Sequence, residues 1–176
     1  KKLQWLSIWQ TGIKSLGDIK GQPIKHLDME NTLITDLSDL LGCGIERLYL
    51  DGECLNEKNI SIINQLHLHY LSIRAFKASP RMGFINNVPI VKISSGVLTE
   101  LIPLNFNNII ELDLSQCSQL LTIKEVAKMK SLKKITLPRG ISDYSALNLL
   151  PKLEQIITVE HGTQSAKAFF QLIKIP

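Results

Sequence analysis

The sequence predicts an α/β solenoid, a curved right-handed array with a parallel sheet on its concave face, and three observations predict it. A six-residue phrase recurs eight times: an aliphatic, two free positions, an aliphatic, one free position, an aliphatic. It runs Leu3-Leu6-Ile8, Ile24-Leu27-Met29, Ile45-Leu48-Leu50, Leu68-Leu71-Ile73, Val88-Val91-Ile93, Ile109-Leu112-Leu114, Leu132-Ile135-Leu137 and Leu153-Ile156-Thr158. The starts at 3, 24, 45, 68, 88, 109, 132 and 153 are 20 to 23 residues apart, a near-constant step that is the mark of a repeat architecture. The apolar residues are mostly Leu and Ile and only 6% of the chain is aromatic, which suits a narrow core of stacked aliphatics.

Repeat one places a strand over 3–8 and follows it with Thr11, Ile13, Leu16 and Ile19, a spaced apolar set that returns the chain on the convex side. No polar cap precedes Leu3, and an uncapped apolar edge invites aggregation, so the natural protein is expected to continue upstream. The chain therefore reads as one repeat domain over 1–176, a fragment of a larger protein. Repeat two has the same second half, with Thr32, Ile34, Leu37 and Leu40. This T-x-I-x-x-L-x-x-L return, joined to the L-x-x-L-x-L head, resembles the short bacterial leucine-rich repeats of the internalin type. It is also similar to arrays attached to some bacterial serine/threonine kinases. The resemblance covers essentially the whole chain and implies a non-catalytic scaffold within a bacterial signalling or surface protein.

Repeat three is longer, and Asn59 before Ile60, Ile62 and Ile63 suggests a short convex helical turn. Repeat four loses the pattern over 76–87, where Pro80 and Gly83 stand, and irregular repeats are sites of altered curvature or of function. Repeat five regains it through Leu98, Leu101 and Leu104, with Pro89 tolerated near a strand start. Thr122 before Ile123 reads as a helix N-cap, and Ser142-Asp143 before 144–150 repeats the idea, with Pro151 as the stop. Beyond repeat eight, Ala166, Phe169, Phe170 and Ile173 fall on one helical face, predicting a capping helix over 163–174.

Alternation along a strand points the aliphatics inward and the free positions outward, and stacking turns each free position into a column. One column reads Trp5, His26, Arg47, Tyr70, Ile90, Glu111, Lys134, Gln155; the next Ser7, Asp28, Tyr49, Ser72, Lys92, Asp113, Thr136, Ile157. A third, beyond the strand, reads Trp9, Glu30, Asp51, Arg74, Ser94, Ser115, Pro138, Val159. The candidate binding residues are Trp5, Trp9, His26, Asp28, Arg47, Tyr49, Tyr70 and Arg74, because Trp, Tyr and Arg are the residues enriched at interface hot spots. The alternative is that the two tryptophans pack on an upstream repeat. In the leucine-rich repeat family a turn position usually carries an inward Asn, Cys or Thr that bonds adjacent loops. Here it reads Thr11, Thr32, Glu53, Phe76, Gly96, Cys117, Gly140 and His161, a broken ladder.

Composition narrows the function. A net charge of +4 with interspersed acids and no basic stripe argues against nucleic acid. Three cysteines without C-x-x-C spacing favour a reducing, cytoplasmic setting over a disulfide framework. No apolar run of membrane length and no signal peptide occur. His26, His67, His69 and His161 lack partners at ligand spacing, so neither a metal nor a cofactor is expected. No phosphate-cradling glycine loop, G-x-S-x-G or H-E-x-x-H is present. Asp28, Glu30 and Asp51 form an acidic group, expected to be open to solvent and ionised. The reading is a non-enzymatic scaffold for a protein or peptide partner. Its alternative is a fragment of a carbohydrate-active enzyme on a parallel β-helix, which coils at a similar period.

Overall fold

The computed structural model describes residues 3–75, 85–101 and 108–173. Among these residues nine strands form one sheet in sequence order: β1 (Trp5–Ser7), β2 (His26–Asp28), β3 (Arg47–Asp51), β4 (Tyr70–Ala75), β5 (Ile90–Ser95), β6 (Glu111–Gln116), β7 (Lys134–Thr136), β8 (Gln155–Thr158) and β9 (Gly162–Ser165). The first eight pair in parallel and β9 runs antiparallel to β8. Two α-helices, α1 (Glu57–Gln65) and α2 (Ala166–Leu172), complete an α/β fold.

The inward aliphatics do what their spacing demands. Leu27, Leu48, Leu71, Val91, Leu112, Ile135 and Ile156 pair in register across seven strands and are all buried, each worth roughly 1.5–3 kcal/mol in apolar area removed from water. At several strand starts, two successive N–H groups donate to one carbonyl of the strand before: Lys25 and His26 to Gln4, Glu46 and Arg47 to Lys25, Lys133 and Lys134 to Ile110. Pro89 stands at this place before β5 and has no N–H to donate, while its carbonyl still accepts from Ile110 and Glu111.

Leu37, Leu40, Leu120, Val126 and Leu147 are buried in the segments that connect the strands. These contain short 3-10 turns at Gly17–Ile19, Ser38–Leu40, Gly52–Cys54, Lys124–Lys128 and Ser145–Leu149. Gly21 and Gly42, 21 residues apart, leave two of them in the left-handed region at φ 72° and 85°, where a side chain would be strained. The expected helix after Thr122 is one of these 3-10 turns, with Thr122 Oγ1 accepting the Lys124 N–H at 3.4 Å. In the next, it is Asp143 rather than Ser142 that accepts, from the Ser145 N–H at 2.8 Å.

Helix α1 begins before Asn59. Asn56 is its N-cap, accepting the Asn59 N–H at 2.9 Å, which frees the Asn59 side chain for the interior. Asn59 is fully buried and spans two stretches of chain. Its Oδ1 accepts the Leu37 N–H at 3.2 Å, and its Nδ2 donates to the Thr35 and Cys54 carbonyls at 2.8 and 2.7 Å.

The capping helix expected over 163–174 is shorter. Residues 162–165 pair as β9 along the edge of β8, and Ser165 caps α2 by accepting the Ala168 N–H at 3.2 Å. The predicted face is the buried one: Ala166 and Phe169 lie in the core, with Phe170 and Ile173 against it. Of the irregular segment 76–87, residues 76–84 lie outside the described residues, as does Leu104. Ile85 is buried, and the Asn86 N–H donates to Asn64 Oδ1 at 2.8 Å.

Candidate functional site

Strand register brings the candidate residues into rows across the outer face. Trp5, His26, Arg47 and Tyr70 are consecutive partners across β1–β4, and Ser7, Asp28, Tyr49 and Ser72 form the row above them. Four strands at about 4.8 Å spacing give a shelf roughly 15 Å across. The third row holds for Asp51, Arg74 and Ser94, but the register slips after Lys92 and Ser94 pairs with Gln116, not Ser115. An outward column inferred from constant spacing is displaced there by one residue.

The centre of the shelf is aromatic and basic. The Tyr49 and Tyr70 rings lie 5.3 Å apart at 44°, and the Arg47 guanidinium carbon stands 5.8 Å from the Tyr70 ring centre. A cation over a tyrosine face is a favourable contact that still leaves the planar group's edge donors available. Trp5 and Trp9 are 69% and 47% exposed, so neither is covered by the described residues. Farther along the sheet the charges face one another instead: Lys134 Nζ lies 3.1 Å from Glu111, and Lys92 Nζ lies 3.9 Å from Asp113. The two ends of the face thus differ in character, with aromatic area at one and mutually neutralised side chains at the other.

Beside the aromatic group lies the acidic group, and here the expectation of solvent-exposed carboxylates is corrected. Asp51 is only 9% exposed. Its Oδ2 accepts the N–H of Asn31 at 2.5 Å, because Asn31 adopts a left-handed φ of 57° that turns its amide toward β3. Burial raises the Asp51 carboxyl above the usual range, against the opposing pull of the Asn31 N–H. Glu30 is raised as well, first by burial and then by the Asp28 charge; Ser72 Oγ at 3.3 Å and Arg74 at 3.8 Å act in the other direction. Asp28 accepts from Ser7 Oγ at 3.3 Å and from the Glu30 N–H at 3.2 Å. Arg74, expected as a binding residue, is therefore drawn toward Glu30 across the sheet.

In the turn column, two cysteine thiols reach back to the preceding repeat. Cys54, not Glu53, turns inward and donates its thiol to the Ile34 carbonyl at 2.9 Å, and Cys117 does the same to Ile93 at 3.3 Å. Ser95 and Thr158 bond locally instead, Ser95 accepting the Val97 and Leu98 N–H groups and Thr158 the His161 N–H. Thr11 and Thr32 bond only locally, to carbonyls three residues back. All three cysteines are buried, and burial pushes the Cys54 and Cys117 thiols up to about 11. The thiolate is the reactive form. Iodoacetamide at pH 8 is therefore expected to leave Cys54 and Cys117 unmodified in the folded protein and to alkylate all three cysteines in denaturant. Intact-mass spectrometry reads this, and native labelling of Cys117 would contradict the packing.

Sequence reasoning missed the Asn59 bridge and the burial of Asp51. The only advance signal for Asn59 was its place among Ile60, Ile62 and Ile63. Among the described residues no group of three His, Cys, Asp or Glu side chains is arranged to hold a metal ion, and no helix is long and apolar enough to cross a membrane. Compared with known proteins, the chain matches no family model and no curated sequence.

Proposed function

We propose that this chain is a leucine-rich repeat solenoid that acts as a non-catalytic scaffold within a larger bacterial signalling or surface protein. It binds a protein or peptide through the outer face of β1–β4. The observation that carries the reading is the Arg47–Tyr70–Tyr49 group, set on consecutive strands beside Trp5 and His26. Large aromatic area with few rotors, next to a guanidinium with donors to spare, is what interface hot spots use. A rigid sheet also presents it at little cost in ordering entropy. One sheet collects every described strand, whereas a parallel β-helix carries several sheets around each turn, which favours the scaffold over the carbohydrate-active enzyme.

The test is a quantitative pull-down from a lysate of the source organism, comparing the wild type with two folded variants. Arg47→Glu/Tyr49→Ala/Tyr70→Ala removes the aromatic shelf, and Glu111→Ala/Lys134→Ala alters the ion-paired end. A partner retained by the second variant and reduced at least tenfold by the first is the expected result. Equal retention by both would move binding off this face.

A further inference from the structure

The three outward rows of the sheet carry four cations among the described residues: Arg47, Arg74, Lys92 and Lys134. Three of them are matched by an acid of the chain itself. Arg74 lies 3.8 Å from Glu30, Lys92 3.9 Å from Asp113 and Lys134 3.1 Å from Glu111. Arg47 is the exception, with no carboxylate at ion-pair distance among the described residues. Two acids close to it in sequence and register are engaged elsewhere. Glu46 accepts from Lys25 Nζ at 2.6 Å, and Asp28 accepts from Ser7 Oγ at 3.3 Å and the Glu30 N–H at 3.2 Å. Arg47 is exposed, and what it rests against is a ring: its guanidinium carbon stands 5.8 Å from the Tyr70 ring centre. A ring occupies the face of the planar group and leaves its N–H edge to solvent. A guanidinium set on a ring instead of an acid is placed for an anion that comes from outside.

We propose that the shelf recognises an acidic peptide segment: an aspartate or glutamate side chain of the partner pairs with the edge of Arg47, and an aromatic or aliphatic side chain about three residues away covers Trp5. The inference deepens the scaffold reading and rests on it. Charge favours this occupant. The row Trp5, His26, Arg47, Tyr70 contains no acid, whereas Glu30 and Asp51 stand in the row beyond the strand. A basic segment laid along the Arg47 row would meet a like charge with nothing to neutralise it. A carboxylate matches the guanidinium fork with two parallel hydrogen bonds. Trp5 supplies the second anchor. It is 69% exposed and two strands from Arg47, roughly 10 Å at the usual strand spacing. About three residues of extended chain span that distance. His26 lies between the two anchors in the same row.

The probe is a random twelve-residue peptide library displayed on phage at the N-terminus of a coat protein, where a peptide offers side-chain carboxylates and no C-terminal one. It is selected on the wild-type chain and counter-selected on Arg47→Gln, whose amide spectrum is expected to stay native away from the substituted position. Peptides with an Asp or Glu about three positions from an aromatic or aliphatic residue are the expected result. The most enriched peptide is then synthesised, alongside a copy in which the acid is replaced by its neutral amide, and both are titrated by fluorescence anisotropy. Affinity is expected to fall at least tenfold on neutralising the acid, at least tenfold in Arg47→Gln and several-fold in Trp5→Ala. Arg47→Lys should fall in between, since a point charge lacks the fork. No enrichment on the wild type over Arg47→Gln, enriched peptides without an acid, or affinity indifferent to neutralising it would each overturn the proposal. Phosphatidylserine vesicles form a further arm, and vesicle binding lost in Arg47→Gln would give the shelf to a membrane surface and overturn it too. The selection uses no cellular protein, so its failure is distinct from failure of the pull-down. A cellular partner lost with the shelf, together with library peptides lacking acids, would keep the scaffold and remove the acidic partner.

Discussion

Replacing Asn59 by Asp is expected to destabilise the fold by about 3–5 kcal/mol and to lower Tm by roughly 10 °C. The amide of Asn59 is fully buried and makes three hydrogen bonds, accepting from the Leu37 N–H and donating to the carbonyls of Thr35 and Cys54. A carboxylate keeps the acceptor and loses both donors. It then holds a negative oxygen against two carbonyl dipoles with no water to screen them. One effect opposes this: the residue lies in the first turn of α1, where a negative charge gains about 0.3–1 kcal/mol from the helix dipole. That gain is smaller than the cost of even one orphaned buried carbonyl, so the loss dominates. The direction with pH follows. The buried variant carboxyl has a folded pKa raised above its unfolded value, and protonation restores one donor. The deficit relative to wild type is therefore smallest at acid pH and grows as pH rises through the folded pKa. Asn59→Ala leaves all three backbone groups unpaired and should show a comparable deficit at neutral pH without that pH dependence. Urea unfolding of the wild type and both variants at pH 5 and pH 8 distinguishes them. An Asp deficit equal at both pH values would mean that the side chain reaches solvent.

The features legible in the sequence are those set by two periods acting together. A two-residue alternation decides which side chains face inward, and a step near 21 residues decides which of them stack. Leu27, Leu48 and Leu71 satisfy both, and their pairing follows. The aromatic and basic row from Trp5 to Tyr70 was legible for the same reason, since it is the outward complement of that pattern. Features carried by single side chains were not. Asn59 is a polar residue in a short helix, and nothing in its spacing distinguishes an inward amide from an outward one. The displacement of Glu53 by Cys54 comes from the 3-10 turn at Gly52–Cys54, which alters the alternation just past the strand. The burial of Asp51 depends on one left-handed residue, Asn31, in a neighbouring loop. Strand β9 contains no apolar residue, so it is defined by the edge of β8 and not by a pattern of its own.

That terminal edge gives the second large effect. Phe169→Ala is expected to cost about 3–5 kcal/mol, the usual range for emptying a buried phenylalanine site. The ring is fully buried at the end of the stack, edge-on to Tyr144 at 5.2 Å, with His161 at 5.9 Å and Phe170 at 6.2 Å. Each strand pairs only with its sequence neighbours, so the damage should enter from the C-terminal end and fade along the sheet. Amide hydrogen exchange in Phe169→Ala is accordingly expected to lose protection at β8, β9 and α2 first, while β3–β5 keep most of theirs. Phe170, only partly buried against the core, should cost about 1–2 kcal/mol on truncation and leave the same order of opening. The exchange pattern decides what α2 does. Selective loss at β8 and β9 makes the helix a local cover over the apolar end of the core, with β9 occupying the strand edge of β8. Uniform loss across all strands would instead make the sheet a single cooperative unit, in which Phe169 stabilises strands it never touches.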